Sequence, residues 1–401
     1  MSVVMILAGS RWQISIVQCV RKLGHKAVVV NPYEDSPAFE YADAYEICDI
    51  LDKEKCLELA RKHKVDAITS EQCEIALSTI DYVATKLGLP TIGKEFVELY
   101  TNKFCMREFA RSHAMPFPEY RLCYSLDDAL EFFSNLNSPM ILKPLNNHSS
   151  RGVFTIRNEE DLSRFFPQAL ELTHHETKAV ICERYISGPE FSVDGIMTSE
   201  GHVSLAVSHK EHYPHNQNVA CALSFSNSHP DFDYDELRRC NDAYVNATRL
   251  PWGLTHAEYK YENGKFYLIE IGARGGGNRI SSHIVPAVSG INHNELLVRQ
   301  ALGERITKKD AESLPEYRDK AAILEFFQFP AGHVAGISGA EILDNEPGIL
   351  DHLFNFKIGD TLELASDDNH RAGYYIATAN SVRELELLRA KIKNHVKPIF
   401  D

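Results

Sequence analysis

The chain has 401 residues, of which 44% are hydrophobic and 24% are charged, and its formal net charge at pH 7 is -14. This length predicts two to four domains with a sizeable buried core. The excess of acidic residues, without a compensating basic block, argues against a nucleic-acid partner. The sequence contains no apolar run long enough to cross a membrane, which argues against a membrane protein.

The nine cysteines bear on the cellular compartment. They are scattered without a CxxC pair, and Cys19, Cys56 and Cys182 lie in helix-like or strand-like runs. This pattern predicts reduced thiols rather than a disulfide framework, as in a cytosolic protein. The apolar run Val3–Ala8 is too short for the core of a signal peptide and lacks a basic flank, so we interpret it as a first strand.

Residues 1–94 alternate between strand-like and helix-like segments. The pattern predicts strands over 3–8, 27–30 and 67–69 and helices up to Leu23, over 52–63 and over 73–87. Strands that alternate with helices predict a parallel, Rossmann-like α/β layer. The turn after the first strand is not GxGxxG, so a scaffold or a substrate wall is favoured over a dinucleotide site.

Two lysines stand out in the next part of the chain. Lys103 opens a helical stretch, and Lys143 lies within the apolar strand-like run 140–145. Burying a lysine in a strand costs free energy unless its ammonium group pairs with an anion. The small-residue loop 146–152 that follows offers backbone N–H groups to phosphate oxygens. An exposed lysine on an edge strand and a solvent loop remain the alternatives.

Residues 179–195 form an apolar strand, a polar corner and a second strand. The corner, Ser187-Gly188-Pro189-Glu190, presents Glu190 and follows Glu183, while the backbone at Tyr185 and Ile186 is left free. The sequence therefore predicts several polar groups at one point of the fold.

A hairpin is predicted further along, because Asn263-Gly264 separates two alternating apolar runs. Its strands, 255–260 and 266–271, bring Glu258 and Glu270 together. We expect Glu258 to share a face with His256 and Lys260, and Glu270 to share a face with Leu268 and Phe266. Paired carboxylates require a cation between them, and Mg²⁺ binds one or two carboxylates together with substrate phosphates. A solvated surface hairpin is the alternative.

The run Gly272–Arg279 follows this hairpin at once. Its glycines are flexible, and they carry Arg274 and Arg279 back towards the two carboxylates. Guanidinium groups suit phosphate, so the stretch predicts a phosphate-handling site.

Residues 95–305 resemble the ATP-grasp superfamily. The resemblance rests on Lys103, on Lys143 in ILKP, on the loop NNHSSRG, on ERYISGPEFSVDG and on Glu258, Glu270 and Arg274. It implies a two-lobed α+β domain (lobe A 95–182, lobe B 183–305) between the N-terminal layer 1–94 and a strand-rich C-terminal subdomain 306–401. The C-terminal pattern predicts a strand over 373–377 and a helix capped near Ser381.

The resemblance also implies how ATP is bound. Lys103 and Lys143 contact its phosphates, the 146–152 loop closes over them, Glu183 accepts from the adenine amino group and Glu190 binds the ribose. The full set of implied ATP contacts is Lys103, Lys143, Ser149, Ser150, Gly152, Glu183, Arg184, Tyr185, Ile186, Glu190 and Leu268. Glu258 and Glu270 hold Mg²⁺, or Mn²⁺ in its place. Many members have an asparagine where this chain has Gly272, so Asn278 or water takes its place.

The implied chemistry activates a carboxylate as an acylphosphate, which an amine then attacks, so that ADP and phosphate are released. Arg274 is the expected catalytic cation, and Arg279 is expected to hold a substrate carboxylate. His256, beside Glu258, either supports the metal ligands, carries a proton or is a core histidine. Lys210, Arg274, Asn278 and Arg279 are the expected substrate contacts.

The motifs EIGARGGGN and THAEYK most resemble the L-amino-acid ligase branch of carboxylate–amine ligases. Members of the superfamily are often dimers, so together with the cysteine pattern we expect a cytosolic homodimer that acts on a small acid and an amine. An ATP-dependent carboxylase that uses bicarbonate and an ATP-binding protein without catalysis remain the alternatives.

The segment 208–230 is the expected substrate pocket. Its histidines His209, His212 and His215 lack the spacing of a structural zinc site, so we expect a polar substrate-lining loop or a mobile surface loop. His283 is expected to be structural, at the start of a helix.

Overall fold

A computed structural model describes residues 1–145, 152–173 and 177–401. The strands are β1 (Val3–Leu7), β2 (Lys26–Asn31), β3 (Ala44–Ile47), β4 (Ala67–Thr69), β5 (Tyr120–Cys123), β6 (Met140–Pro144), β7 (Phe154–Ile156), β8 (Val180–Arg184), β9 (Glu190–Thr198), β10 (Gly201–Tyr213), β11 (Asn216–Phe225), β12 (Gly253–Glu262), β13 (Lys265–Gly272), β14 (Ala321–Phe326), β15 (Gly332–Ser338), β16 (Ile349–Phe354), β17 (Thr361–Leu362), β18 (Gly373–Ala379) and β19 (Lys397–Phe400).

The α-helices are α1 (Ile14–Lys22), α2 (Lys53–His63), α3 (Leu77–Leu87), α4 (Lys94–Thr101), α5 (Lys103–Ser112), α6 (Leu126–Leu136), α7 (Glu159–Glu171), α8 (Tyr234–Thr248), α9 (Val285–Ser289), α10 (His293–Ala301), α11 (Glu341–Asn345) and α12 (Val382–His395). In the described part of the chain, no helix is both long and apolar enough to span a membrane.

The N-terminal strands form a parallel sheet in the order β3-β2-β1-β4. This confirms the predicted parallel α/β layer. Strand β3 was not predicted, because its residues alternate between half-buried and exposed and give no apolar run. Helix α3 begins at Leu77 rather than at residue 73, since a 3₁₀ turn over Glu74–Ala76 comes first.

A second sheet is antiparallel, in the order β5-β8-β6-β7, and α6 and α7 pack against it. Its strand β6 carries Lys143 into the interior, where the side chain is almost fully buried. The backbone N–H of Lys103, at the start of α5, donates to the Leu145 carbonyl at 3.0 Å, which brings the two lysine-bearing elements together.

The largest sheet has eight antiparallel strands in the order β13-β12-β9-β10-β11-β14-β18-β16. It continues from β11 into β14, so the C-terminal segment adds its strands to the sheet that carries the Glu258 hairpin. Strands β15, β17 and β19 form a small separate sheet. The division at residues 94 and 305 stays a prediction.

The segment 208–230 contradicts the expected loop. Residues up to Tyr213 belong to β10, and Asn216–Phe225 form β11, so most of the segment lies in the middle of the large sheet. The prediction of a loop was wrong because the polar residues of this segment lie in two strands that line a cavity.

The corner before β9 generates a stability prediction. A Cβ atom at Gly188 would lie 1.5 Å from the carbonyl oxygen of Tyr261 in β12. Since this is a backbone atom in a paired strand, it cannot shift without a large cost in free energy. We expect Gly188→Ala to lower the free energy of unfolding by about 1–3 kcal/mol or more, measured by urea unfolding. Gly336→Ala is the control, since its Cβ would meet Ile399 at an ordinary 3.6 Å. Equal stability of the two variants would contradict the close approach.

Candidate functional site

The predicted hairpin is confirmed. Asn263 and Gly264 have φ angles of 51° and 78°, and the two-residue turn that they form requires positive φ at both positions. Strands β12 and β13 pair in antiparallel register, with Glu258 directly opposite Glu270. The two carboxylates therefore lie on adjacent strands.

The predicted face of Glu270 is wrong, because β13 contains a bulge. Glu258 pairs with Glu270, but the next residue of β12, Tyr259, pairs with Leu268, so that Ile269 is an extra residue. Leu268 and Phe266 pack in a hydrophobic core, whereas Ile269 and Glu270 line a cavity. Leu268, an expected ATP contact, is thus only 2% exposed, and its neighbour Ile269 supplies the cavity wall.

Lysines neutralise the carboxylates of this region. Lys210 Nζ lies 2.6 Å from both Glu190 Oε1 and Glu258 Oε1, and Lys103 Nζ lies 2.7 Å from Glu270 Oε1. Burial alone would raise the pKa of Glu190, but Lys210 and His212 lower it to about 2. The same balance, with Lys210 and His256 as the cations, holds the pKa of Glu258 well below its usual range. Both carboxylates are therefore charged.

A second charged cluster surrounds Glu183, which lines the same cavity as Ile269 and Glu270. Glu183 Oε1 is 2.8 Å from Arg107 Nε, and Glu183 Oε2 is 2.6 Å from Lys143 Nζ. Burial opposes the charge of Glu183, yet these two cations keep its pKa below the usual value. Burial also lowers the pKa of Lys143, despite the facing carboxylate.

Arg107 was missed by the sequence analysis. Its side chain is fully buried, and Nη2 donates to the Ile269 carbonyl at 2.5 Å. Arg107 thus joins α5 to both β8 and the bulge in β13. A signal was available, because the buried residues Lys103, Met106, Arg107 and Ala110 follow helical spacing.

A first cavity of about 180 Å³ lies among these groups. The expected ATP contacts that line it are Lys103, Lys143, Glu183, Arg184, Tyr185, Ile186 and Glu190. Arg184 also pairs with Glu262 at 2.8 Å. Gly152 has a φ of 76°, while Ser149 and Ser150 lie outside the described residues.

A second cavity, of about 330 Å³, adjoins the first. The two cavities share the wall residues Glu190, Asn218, His256, Glu258, Arg274 and Asp368. Lys210 and Asn278, both expected substrate contacts, line only the second cavity.

Two of the three expected catalytic residues, Arg274 and His256, lie on the wall that the two cavities share. Arg274 lies on the shared wall, with Nη2 3.5 Å from Glu74 Oε2. His256 is also on that wall, and its Nδ1 is 3.0 Å from Asp194 Oδ2. Burial disfavours a charged imidazole, but Asp194 and Glu258 raise the pKa of His256 above its usual value.

Arg279 is engaged elsewhere. Its Nε is 2.7 Å from Asp351 Oδ2, and its Nη1 donates to Ser15 Oγ at 3.0 Å. These contacts tie the glycine-arginine run to α1 and β16.

The histidines of 208–230 have separate environments. His212 Nε2 lies 3.3 Å from Glu190 Oε2, and His215 Nε2 lies 2.9 Å from the Ala365 carbonyl, whereas His209 packs near Phe232. Across the described ranges, no group of three or more His, Cys, Asp or Glu residues could hold a metal ion. His283 lies in a π-helical turn, Ile280–Ile284, close to the predicted helix start.

Residues from both ends of the chain complete the second cavity. Trp12 comes from the N-terminal layer, and Asp368 and Arg371 come from the segment before β18. The sequence analysis did not single them out, because no local motif links them to the carboxylate hairpin.

Two family models match the chain. Residues 136–282 match an ATP-grasp domain, and residues 325–400 match the L-amino acid ligase C-terminal domain 2. A formate-dependent phosphoribosylglycinamide formyltransferase from Chlorobaculum tepidum is 26% identical over 185 residues, which are 46% of this chain and 47% of that protein. The uncharacterized protein y4rH of Sinorhizobium fredii is 23% identical over 334 residues, 80% of this chain and 66% of that one. The matches thus span about half to two thirds of these relatives.

Solved structures share the fold along the whole chain. An L-amino acid ligase from Bacillus licheniformis superposes with a TM-score of 0.84 at 19% identity, covering 100% of this chain and 99% of that one. A phosphoribosylglycinamide synthetase from Anaerococcus prevotii gives 0.77 at 16% identity, covering both chains fully. The predicted fold class is confirmed, and the chain carries an ATP-grasp domain over residues 136–282 and the L-amino acid ligase C-terminal domain 2 over residues 325–400.

Proposed function

We propose that the protein is an ATP-dependent carboxylate–amine ligase that works through an acylphosphate and releases ADP and phosphate. The observation that carries this proposal is the wall shared by the two cavities, which contains Glu258, His256 and Arg274. ATP in the first cavity and a carboxylate in the second would meet at that wall.

The first cavity has the charges that a nucleotide needs. Lys103 and Lys143 are the proposed phosphate contacts, and the backbone at Tyr185 and Ile186 is the proposed adenine edge. Glu183 is the proposed acceptor for the adenine amino group. Its oxygens lie in ion pairs with Arg107 and Lys143, but each carboxylate oxygen has two lone pairs and can accept a further hydrogen bond.

The carboxylate pair fits a divalent cation. Glu258 and Glu270 are opposite in register and line the first cavity, and Mg²⁺ binds one or two carboxylates plus substrate phosphates. Bound there, Mg²⁺ (or Mn²⁺) would neutralise charge on the phosphates of ATP. Lys210 and Lys103 would then have to release part of their present contacts with these carboxylates.

The chain's own residues would handle the transferring phosphoryl group. Arg274 stabilises its charge as the substrate carboxylate attacks, since a fixed guanidinium in a dry site needs no reorganisation. His256, oriented by Asp194, is a proposed proton carrier for the amine step. Arg279 is a proposed substrate contact, and its ion pair with Asp351 and its hydrogen bond to Ser15 Oγ support a positioning role. A cytosolic homodimer is part of this proposal.

The function is tested by measuring ADP release with Mg-ATP and pairs of L-amino acids, with the product identified by mass spectrometry. The ligase predicts ADP only when both partners are present, and an amide product. ADP release that depends on bicarbonate and needs no amine would instead indicate a carboxylase. Tight Mg-ATP binding without turnover of any pair would indicate a non-catalytic nucleotide-binding protein.

Replacement of the catalytic cation gives a direct prediction. We expect Arg274→Ala to bind ATP normally while kcat falls by about 100-fold or more, because the charge stabilisation is lost in the transition state. Steady-state kinetics and calorimetric titration with ATP measure the two effects. Arg61→Ala, an exposed arginine of α2, is the control. A near-normal kcat would remove Arg274 from the mechanism.

The buried Arg107 gives a second prediction. Arg107→Met leaves Glu183 with one of its two cations, so we expect a loss of about 3–5 kcal/mol in stability and a raised KM for ATP. The measurements are urea unfolding and steady-state kinetics. Arg111→Met, one turn further along α5 and exposed, should change neither quantity appreciably. If both variants behaved alike, Arg107 would not support the nucleotide wall.

A further inference from the structure

The segment between β17 and β18, residues 363–372, closes one side of the second cavity. Two side chains of the β10–β11 turn hold it: His215 Nε2 lies 2.9 Å from the Ala365 carbonyl, and Asn216 Nδ2 donates to the Ser366 carbonyl at 2.8 Å. We call this segment the strap. It brings Asp368 and Arg371 to the cavity.

Arg371 is a buried cation with unused hydrogen-bonding capacity. Only 6% of the residue is exposed, and its Cζ lies 3.6 Å from the centre of the Phe326 ring. Nη2 donates to the Ala220 carbonyl at 2.8 Å and lies 2.7 Å from Asp368 Oδ1. Within the described ranges, Nε has no hydrogen-bond partner. A buried donor without a partner is costly, so the geometry favours a ligand that supplies one.

The surroundings indicate the chemistry of that ligand. Ala220, Leu223, Leu324 and Phe326 also line the second cavity and offer apolar contacts. Arg371 lines only this cavity, whereas Asp368 also lies on the wall shared with the first. The strap therefore presents a guanidinium in the second cavity and a carboxylate at the boundary with the first, where the chemistry is proposed.

The other cations near this cavity are less suited. Lys210 is held by Glu190 and Glu258. Among the described residues, Arg274 Nε also has no hydrogen-bond partner. Arg274, however, lies on the shared wall, where we propose that the phosphoryl group is transferred. Arg371 is thus the cation placed to hold a charge that takes no part in the reaction.

We infer that Arg371 binds the free carboxylate of the amine substrate, with Asp368 directing the amino group of the same molecule towards the shared wall. The pair Arg371–Asp368 matches the adjacent opposite charges of an α-amino acid, and the apolar side chains match an apolar substituent on it. This inference rests on the proposed ligase function, and it names the strap as the element that selects the second substrate.

The test compares L-leucine with L-leucinamide, in which the carboxylate is replaced by a neutral amide. With the acid partner that gives the fastest ADP release, we expect the wild-type KM for leucinamide to exceed that for leucine by about 10- to 100-fold. Arg371→Met should raise the KM for leucine to the leucinamide value and leave the KM for ATP unchanged. Arg371→Lys should restore part of the difference, because it keeps the charge but loses the bidentate fork. Arg383→Met, exposed on α12, is the control.

Equal KM values for leucine and leucinamide in the wild-type protein would overturn the inference, and this comparison needs no variant to fold. An Arg371→Met variant that raised the KM for ATP as much as that for leucine, or that lowered kcat alone, would overturn it too. If no amine supports ADP release, the proposed function fails, while calorimetric titration with L-leucine in the presence of Mg-ATP still decides the inference. Heat of binding to wild type but not to Arg371→Met supports it, and no binding to wild type overturns it.

Discussion

The arrangement of the site depends on two carboxylates that the backbone places opposite each other. The register of β12 and β13 places Glu258 and Glu270 directly opposite each other, and like charges in direct cross-strand positions repel. Lysines from two other elements offset this repulsion, Lys210 from β10 and Lys103 from α5. These contacts tie a distant helix and a central strand to the hairpin, and they hold the charges that a divalent cation and phosphates would take over.

The same constraint explains why three parts of the chain meet. The large sheet places β9, β12 and β13 beside one another, so that Glu190, Glu258 and Glu270, which line the first cavity, lie on neighbouring strands. The N-terminal layer adds Glu74 beside Arg274, and the C-terminal strands extend the sheet far enough for Arg371 to reach the second cavity. Both the early and the late parts of the chain are therefore walls of one site.

Local patterns predicted much of this arrangement, because local chemistry determines it. The Asn263-Gly264 turn requires positive φ and so predicts the hairpin, and the capping residue Ser381 marks the start of α12. The bulge at Ile269 could not be predicted, since it arises from pairing with a strand and not from the sequence of β13 alone.

Long-range contacts were equally beyond local patterns. Arg371 bonds to Ala220, which is 151 residues away along the chain, and neither residue carries a motif. Arg107 is an intermediate case, because helical spacing places it on the buried face of α5, but only the fold shows that it meets Glu183.

The central claim is that a carboxylate in the second cavity attacks the terminal phosphate of ATP in the first. Its most direct test uses an L-amino acid labelled with ¹⁸O in both carboxylate oxygens, followed by mass spectrometry of the released phosphate. An acylphosphate intermediate transfers a carboxylate oxygen to phosphorus, so the account predicts phosphate that carries a single ¹⁸O and an amide that retains the other. Unlabelled phosphate, formed while amide accumulates, would contradict it.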